Sequence, residues 1–198
     1  DGYIAGGVEM MGRVPMGSDW GVLTEEFLDT YPYELKSMGL CAEEIADKWG
    51  LSRRELDEFS AESHRRAARA RDNGWFKDQL LPIHDPATGE VLDHDEGIRA
   101  GVDVEKMGTL RTPFKENGKV SAANASQISD GAGALLVASD EKCKELGLKK
   151  RAKIRGRVVV GSDPHLTLTG PIPATQKVLD KTGLTIGDID VVEINEAF

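Results

Sequence analysis

Cysteine and histidine are scarce in this sequence, with two of the first and four of the second among 198 residues. Cys41 and Cys143 stand far apart and form no CxxC pair. His64, His84, His94 and His165 form no metal-binding pair. Neither a disulfide framework nor a metal site is written here, and a reducing compartment is the simplest setting. No apolar run approaches the roughly 20 residues that span a bilayer, and no charged-then-apolar leader opens the chain. The expectation is a soluble, cytoplasmic protein with no membrane partner. An excess of positive charge is missing too. The formal net charge is -9, which argues against a nucleic-acid partner, since such proteins normally carry a basic face. The one dense basic run, Arg65, Arg66, Arg69 and Arg71, falls on an expected helix and reads as a solvated face.

What is present suffices for a core. Hydrophobic residues make up 39% and charged residues 30%, and the length fits one large domain or two small ones. Both ends read as interior. Tyr3-Ile4-Ala5-Gly6-Gly7 is a buried strand running into a glycine turn, and Val191 to Phe198 is a strand with an apolar last residue. Domain termini are usually exposed and polar, so the chain is expected to be a fragment.

Between the ends the texture changes once. Residues 9 to about 40 mix Gly, Pro, Met and aromatics without a period and read as loop with short helical turns. Ala42 to Trp49 reads as a short helix with Ile45, Ala46 and Trp49 on one side. Ser52-Arg53-Arg54-Glu55 is a capping box. Leu56, Phe59, Ser63 and Ala67 follow at helical spacing, and Asn73-Gly74 stops the helix. Leu80 to Ile83 is a short strand, residues 85–89 are turn chemistry, and Val91-Leu92 is a possible returning partner. Residues 93–119 are irregular and charged.

From Val120 small residues dominate to Ala134, and Ala134 to Ala138 is an apolar strand. Asp140 caps a helix ending at Gly147, and Ile154 to Val160 is a strand. Pro171 to Thr182 is a helix with Gly183 at its end, and Asp190 to Ile194 is a last strand. The order after residue 120, with the small-residue stretch as a first helix, is helix, strand, helix, strand, helix, strand. It predicts α/β layering, a sheet covered by helices, beside a separate loop-rich unit.

Two stretches can carry chemistry. In Ser121 to Ala134 the small side chains admit either an elongated ligand or a close helix crossing. Asn124, Ser126, Ser129 and Asp130 supply polar groups there, and the residues alone leave both readings open. In Glu193-Ile194-Asn195-Glu196-Ala197-Phe198, polar groups past a strand's carboxyl end face the ligand crevice of an α/β fold. Asn195 there either serves an oxyanion or caps a turn.

The ordered set of segments is similar to the thiolase family. It comprises Ala5-Gly6-Gly7-Val8-Glu9-Met10, Ser37-Met38-Gly39, the Ser52 to Trp75 helix, Asn124-Ala125-Ser126 through Asp130-Gly131-Ala132, Gly170-Pro171-Ile172-Pro173-Ala174 and Asn195-Glu196-Ala197-Phe198. The resemblance covers essentially the whole chain. It implies a thiolase-like layered α/β fold, incomplete, with an inserted loop-rich α+β domain. Residues 1–8 would be a strand of the N-terminal half and 9–120 a CoA-binding loop domain. Residues 121–150 would end the N-terminal half, and 151–198 would begin the C-terminal half.

The same resemblance implies site residues. Ala122 and Ser126 match positions that meet the pantetheine arm of coenzyme A, with Ser126 its hydrogen-bonding partner. Arg99 matches a basic residue near the nucleotide end, and Phe114 an aromatic flanking the cofactor. Met38 and Phe198 match apolar walls of the acyl pocket, and Asn195 the residue holding the oxyanion-hole water. Coenzyme A is implied as substrate, with no metal. An acyl-CoA partner, a role in fatty-acid metabolism and a homo-oligomeric parent are implied as well.

Departures fall at Ser37, where many biosynthetic thiolases carry His, and at Cys41-Ala42-Glu43-Glu44. Others are Lys106, which replaces a CoA-contacting Ser, and Thr167-Leu168-Thr169-Gly170. They bear on chain length and fine CoA contacts.

Thiolysis needs a nucleophilic cysteine. The family's nucleophile would precede Ala5-Gly6-Gly7, and its His and second Cys would follow Phe198. Cys143 sits on a charged helix, and Cys41 is expected to be a packed or half-exposed thiol. The four histidines are expected in solvent-facing or capping roles. Three functions follow as expectations: a thiolase fragment inactive alone, a non-catalytic CoA-thioester binder, or an assembly piece offering unpaired strand edges.

Overall fold

The computed structural model describes residues 1–18 and 21–198, so residues 19 and 20 of the expected 9–40 loop lie outside the described residues. The chain forms two compact units, one of residues 1–35 and 128–195, the other of residues 36–127 and 196–198.

In the first unit, strand β1 (Gly2–Glu9) pairs antiparallel with a strand at Gly131–Ala138, with Gly2 opposite Ala138 and Glu9 opposite Gly131. The pairing is close because its middle is small. A Cβ on Gly6 would fall 2.9 Å from the carbonyl oxygen of Gly133. Both strands remain exposed over nearly their whole length, with Ile4 81% and Leu135 72% accessible. Met11 N–H donates to Asp130 Oδ1 at 2.8 Å, holding the chain as it leaves β1.

The rest of this unit carries short helices. Helix α1 (Glu25–Thr30) is capped by Thr24. A helix at Asp140–Glu145 is capped by Ser139, so Asp140 occupies its first turn rather than the cap. A helix at Pro171–Thr182 stops at Gly183 in the left-handed conformation, φ 67°. A 3-10 turn covers Ile186–Asp188.

The strands expected at 154–160 and 190–194 have no ladder among the described residues. A strand exists through a neighbour about 4.8 Å away. Here the carbonyls of Arg157 and Val159 instead accept from the ammonium groups of Lys181 and Lys177. Nor does the small-residue stretch open as a helix: residues 122–123 form a turn and 124–125 a bend.

The second unit holds most of the buried apolar residues, among them Cys41, Ala46, Ala61, Met107 and Val120. Helix α2 (Met38–Lys48) starts earlier than its apolar spacing suggests. Ser37 accepts from Leu40 N–H and caps it, and the helix buries Gly39, Cys41, Ala42, Glu43 and Ala46. Helix α3 (Arg53–Asp72) carries the full Ser52–Glu55 capping box. Strand β2 (Ile83–His84) and strand β3 (Val91–Leu92) form a small hairpin, with the first strand starting at Ile83 rather than spanning the expected 80–83. Helix α4 (Val104–Gly108) is capped by Asp103, packs on α3 and buries Met107. In chain order the remaining elements are β4 (Gly131–Ala138), α5 (Asp140–Glu145) and α6 (Pro171–Thr182).

The buried face of α3 is Asp57, Ala61 and Ala70. The stripe of Leu56, Phe59, Ser63 and Ala67 that marks the helix in the sequence is a different face, with Phe59 64% exposed.

Candidate functional site

Two buried carboxylates build the floor of the second unit. Glu43, on α2, is 1% exposed. It accepts from the backbone N–H groups of Lys119, at 2.9 and 2.8 Å, and Val120, at 2.7 Å. A carboxylate taking several backbone donors is a strong, directional clamp, and it fixes residues 119–120 against α2. Gly118 belongs to the same contact, since a Cβ there would strike the Glu43 carboxylate.

Asp57, on α3, is fully buried. Arg53 Nε donates to it at 2.7 Å, one helical turn away. The same guanidinium donates to the carbonyls of Met107 and Leu110, tying α4 to α3. On its other oxygen Asp57 accepts from Asn124 Nδ2 at 2.8 Å. Asn124 also donates to Lys119 O and accepts from Ser121 N–H. Every polar atom of the Asn124 side chain is thus used, as burial requires. The loop 121–127 is held from both sides.

That loop faces a cleft of about 390 Å³ within the second unit. One wall is the outer stripe of α3, with Leu56, Phe59, Ser60, Ser63 and His64. The other is Asn124 to Gln127, closed by Glu196 and Phe198. The apolar spacing on α3 therefore serves a cleft rather than a core.

Ser126 joins the two parts of this wall. Its hydroxyl donates to Glu196 O at 2.6 Å and its N–H to Ala197 O at 2.9 Å. Phe198 packs edge-on against Phe114, with ring centroids 5.7 Å apart and planes at 85°. Phe114 in turn lies over Gly39, where a Cβ would run into its ring. Met38, the first residue of α2, is exposed beside Gly39.

A short segment adjoins the cleft wall. Arg99 N–H donates to His64 Nδ1 at 3.3 Å, and Gln127 Nε2 donates to Gly97 O at 2.6 Å. Burial first, and then the nearby Arg99 charge, hold the His64 imidazole below its ordinary pKa.

Of the residues singled out in the sequence, Ser126 and Phe198 line the cleft. Phe114 supports it through Phe198, and Arg99 is tied to it through His64. Ala122 is exposed on the same loop and is not part of the lining. Asn195 is exposed and belongs to the first unit. Cys41 is fully buried and Cys143 half-buried. His64 is half-buried in the cleft wall, not a solvent-facing or capping residue.

Sequence reasoning passed over Glu43 and Asp57. The available signal was an acid one turn before a core alanine, as in Asp57 and Ala61. It also passed over Gln127. Among the described residues no group of three His, Cys, Asp or Glu side chains is placed to hold a metal ion. No helix among them is long and apolar enough to cross a membrane.

Comparison with known proteins gives a consistent result. Residues 1–141 match the family model "Thiolase, N-terminal domain", and residues 148–198 match "Thiolase, C-terminal domain". The 3-ketoacyl-CoA thiolase of Vibrio parahaemolyticus is 45% identical, over 98% of this chain and 51% of its own length. That of Aeromonas hydrophila is 44% identical, over 100% of this chain and 52% of its own. Among solved structures, the acetyl-CoA acetyltransferase from Syntrophomonas wolfei superposes with a TM-score of 0.83 at 33% identity, covering 100% of this chain and 53% of that one. Human mitochondrial 3-ketoacyl-CoA thiolase gives 0.84 at 33%, with the same coverage. The chain spans about half the length of the relatives it matches.

Proposed function

We propose, from the premise that this chain belongs to the thiolase family and carries that family's layered α/β fold, that it serves acyl transfer to coenzyme A. The reaction is thiolytic cleavage of a 3-ketoacyl-CoA, or its reverse, the condensation of two acetyl-CoA units. The observation that carries this reading is the cleft in which Ser126 and Phe198 stand on one wall, with Arg99 tethered to the other.

The chemistry assigns each residue a task. The Ser126 hydroxyl donates its hydrogen bond to Glu196 O, so its oxygen is left to accept from a pantetheine amide N–H. Ala122 offers the thin surface along which that arm runs. Arg99 meets the phosphates, as a net charge of -9 requires of some local cation. Phe114 and Phe198 supply aromatic surface, and Met38 an apolar wall for the acyl chain. Asn195 holds a water as donor to the oxygen that gains charge when the thioester carbonyl is attacked, the step at which such donors act most.

The acyl carrier is a cysteine thiolate, which divides one hard transfer into two easier ones. Neither cysteine here suits that role. Cys41 is fully buried, and Cys143 lies on α5 among Lys142, Lys144 and Glu145. The nucleophile and its base are assigned to another part of the protein, and the isolated chain is expected not to turn over. The same proposal divides the chain into residues 1–8, a 9–120 CoA-binding domain, 121–150 and 151–198. It also places a homo-oligomeric parent in the cytoplasm.

The test is CoA binding by calorimetry together with acetoacetyl-CoA thiolysis in the full-length protein. Binding with turnover supports the reading. Binding without turnover turns it into a CoA-thioester binder, and no binding at all removes it.

A further inference from the structure

His64 and Gln127 reach the same three-residue segment from opposite walls of the cleft. Gln127 Nε2 donates to the Gly97 carbonyl at 2.6 Å, and His64 Nδ1 accepts the Arg99 N–H at 3.3 Å. The approach is tight. A Cβ on Gly97 would fall 2.6 Å from the Gln127 amide oxygen. Ile98, between the two anchors, is half-buried.

We propose that His64 and Gln127 are positioning residues that hold segment 97–99 beside the cleft and so aim Arg99 at the anionic end of its ligand. This inference rests on the CoA reading above. Neither residue needs to touch the reacting atoms.

The protonation state of His64 decides whether the anchor exists. A backbone N–H only donates, so Nδ1 must be unprotonated and the neutral ring carries its proton on Nε2. Protonation turns Nδ1 into a second donor facing the Arg99 N–H, and the bond is lost. The surroundings favour the neutral ring. Burial and the Arg99 charge both lower the imidazole's pKa.

The other groups facing it are few. The loop 124–127 offers uncharged groups, the Asn124 and Gln127 amides and the Ser126 hydroxyl, and the α3 stripe offers Leu56, Phe59, Ser60 and Ser63. The C-terminal segment offers the Glu196 carboxylate. Glu62, Arg65 and Arg66 on α3 pair with one another. The anchor therefore holds at neutral pH and loosens as pH falls through His64's depressed value, below roughly 6.5.

The experiment measures CoA affinity of the full-length protein by calorimetry from pH 5 to 8, for wild type, His64→Leu, His64→Asn, Gln127→Ala, Arg99→Ala and His64→Leu/Arg99→Ala. Asn retains an acceptor near the Nδ1 position and does not titrate. His64→Leu is expected to weaken binding about tenfold at pH 7, the size of one lost hydrogen bond. Gln127→Ala should weaken it several-fold, and His64→Asn should bind near the wild-type level. The CoA phosphates titrate in the same range, so the readout is the difference between wild type and His64→Asn, which should open only at low pH. Combined with Arg99→Ala, His64→Leu should add almost nothing.

Unchanged affinity in Gln127→Ala overturns the proposal, as does a wild-type and His64→Asn difference that ignores pH, or full additivity in the double variant. If wild type binds no CoA, the CoA reading itself fails and takes this inference with it. Failure of the variants alone leaves that reading standing.

Discussion

Asp57 and Asn124, 67 residues apart in sequence, meet through a buried hydrogen bond of 2.8 Å. Through it a helix decides where the Ser126 loop lies. Removing the acid strands the Arg53 guanidinium and the Asn124 amide together. Asp57→Ala is expected to destabilise the protein by about 3–5 kcal/mol, the cost of breaking a buried pair. Asn124→Ala should cost about 1–3 kcal/mol. The double variant should cost less than the sum, because both changes remove the same bond. Urea denaturation midpoints of the four proteins measure this.

Gly39 and Phe114 make a steric prediction. A methyl group on Gly39 meets the Phe114 ring, and that ring supports Phe198. Gly39→Ala should cost about 1–3 kcal/mol by overpacking and weaken CoA binding through the displaced ring. Adding Phe114→Leu should restore stability in part but not binding. Thermal melts and calorimetry separate the two effects.

The start of α3 responds to acid. The Ser52 hydroxyl and backbone N–H hold the Glu55 carboxyl below its ordinary range. A carboxyl whose folded pKa is depressed contributes stability that is complete above its unfolded value and is lost as pH falls through the folded one. The gap in melting temperature between wild type and Glu55→Gln should stay constant above about pH 5 and close below about pH 4. Ser52→Ala, which removes the cap itself, should cost about 1 kcal/mol.

Under the proposed roles, Ser126 and Asn195 should separate binding from chemistry in the full-length protein. Ser126→Ala should raise the Kd for CoA by about tenfold, one hydrogen bond's worth. Asn195→Ala should leave CoA affinity intact and lower kcat by about 100-fold, the scale of one oxyanion donor. Steady-state kinetics with acetoacetyl-CoA reads both. An Asn195→Ala enzyme with unchanged kcat sinks the oxyanion role.

The features that were legible beforehand are those settled within a few residues. The Ser52–Glu55 box, the return of Val91–Leu92 in a small hairpin, though its first strand falls at Ile83–His84 rather than at 80–83, and the Gly183 helix stop each depend on neighbours in the chain. What stayed hidden depends on distant partners. Nothing local says that Glu43 turns inward, because its donors lie 76 and 77 residues away. The Leu56–Phe59–Ser63 stripe has the spacing of a core face, and spacing does not tell a core from a cleft. Apolar composition over 154–160 and 190–194 suggests strands, but composition supplies no neighbour to pair with. The resemblance named Ser126 and Phe198, while His64 and Gln127 became visible only through the segment they share.

Glu43 recognises main chain. Its carboxylate takes the amide hydrogens of Lys119 and Val120, and Asn124 takes the carbonyl of Lys119. So far as this clamp is concerned, position 119 is open to almost any side chain and closed to proline, which has no hydrogen to give. The spacing is guarded more strictly than the spelling. A one-residue deletion between 118 and 124 would slip the loop past its acid, whereas substitutions at 119 could accumulate in related chains and leave the site where it is.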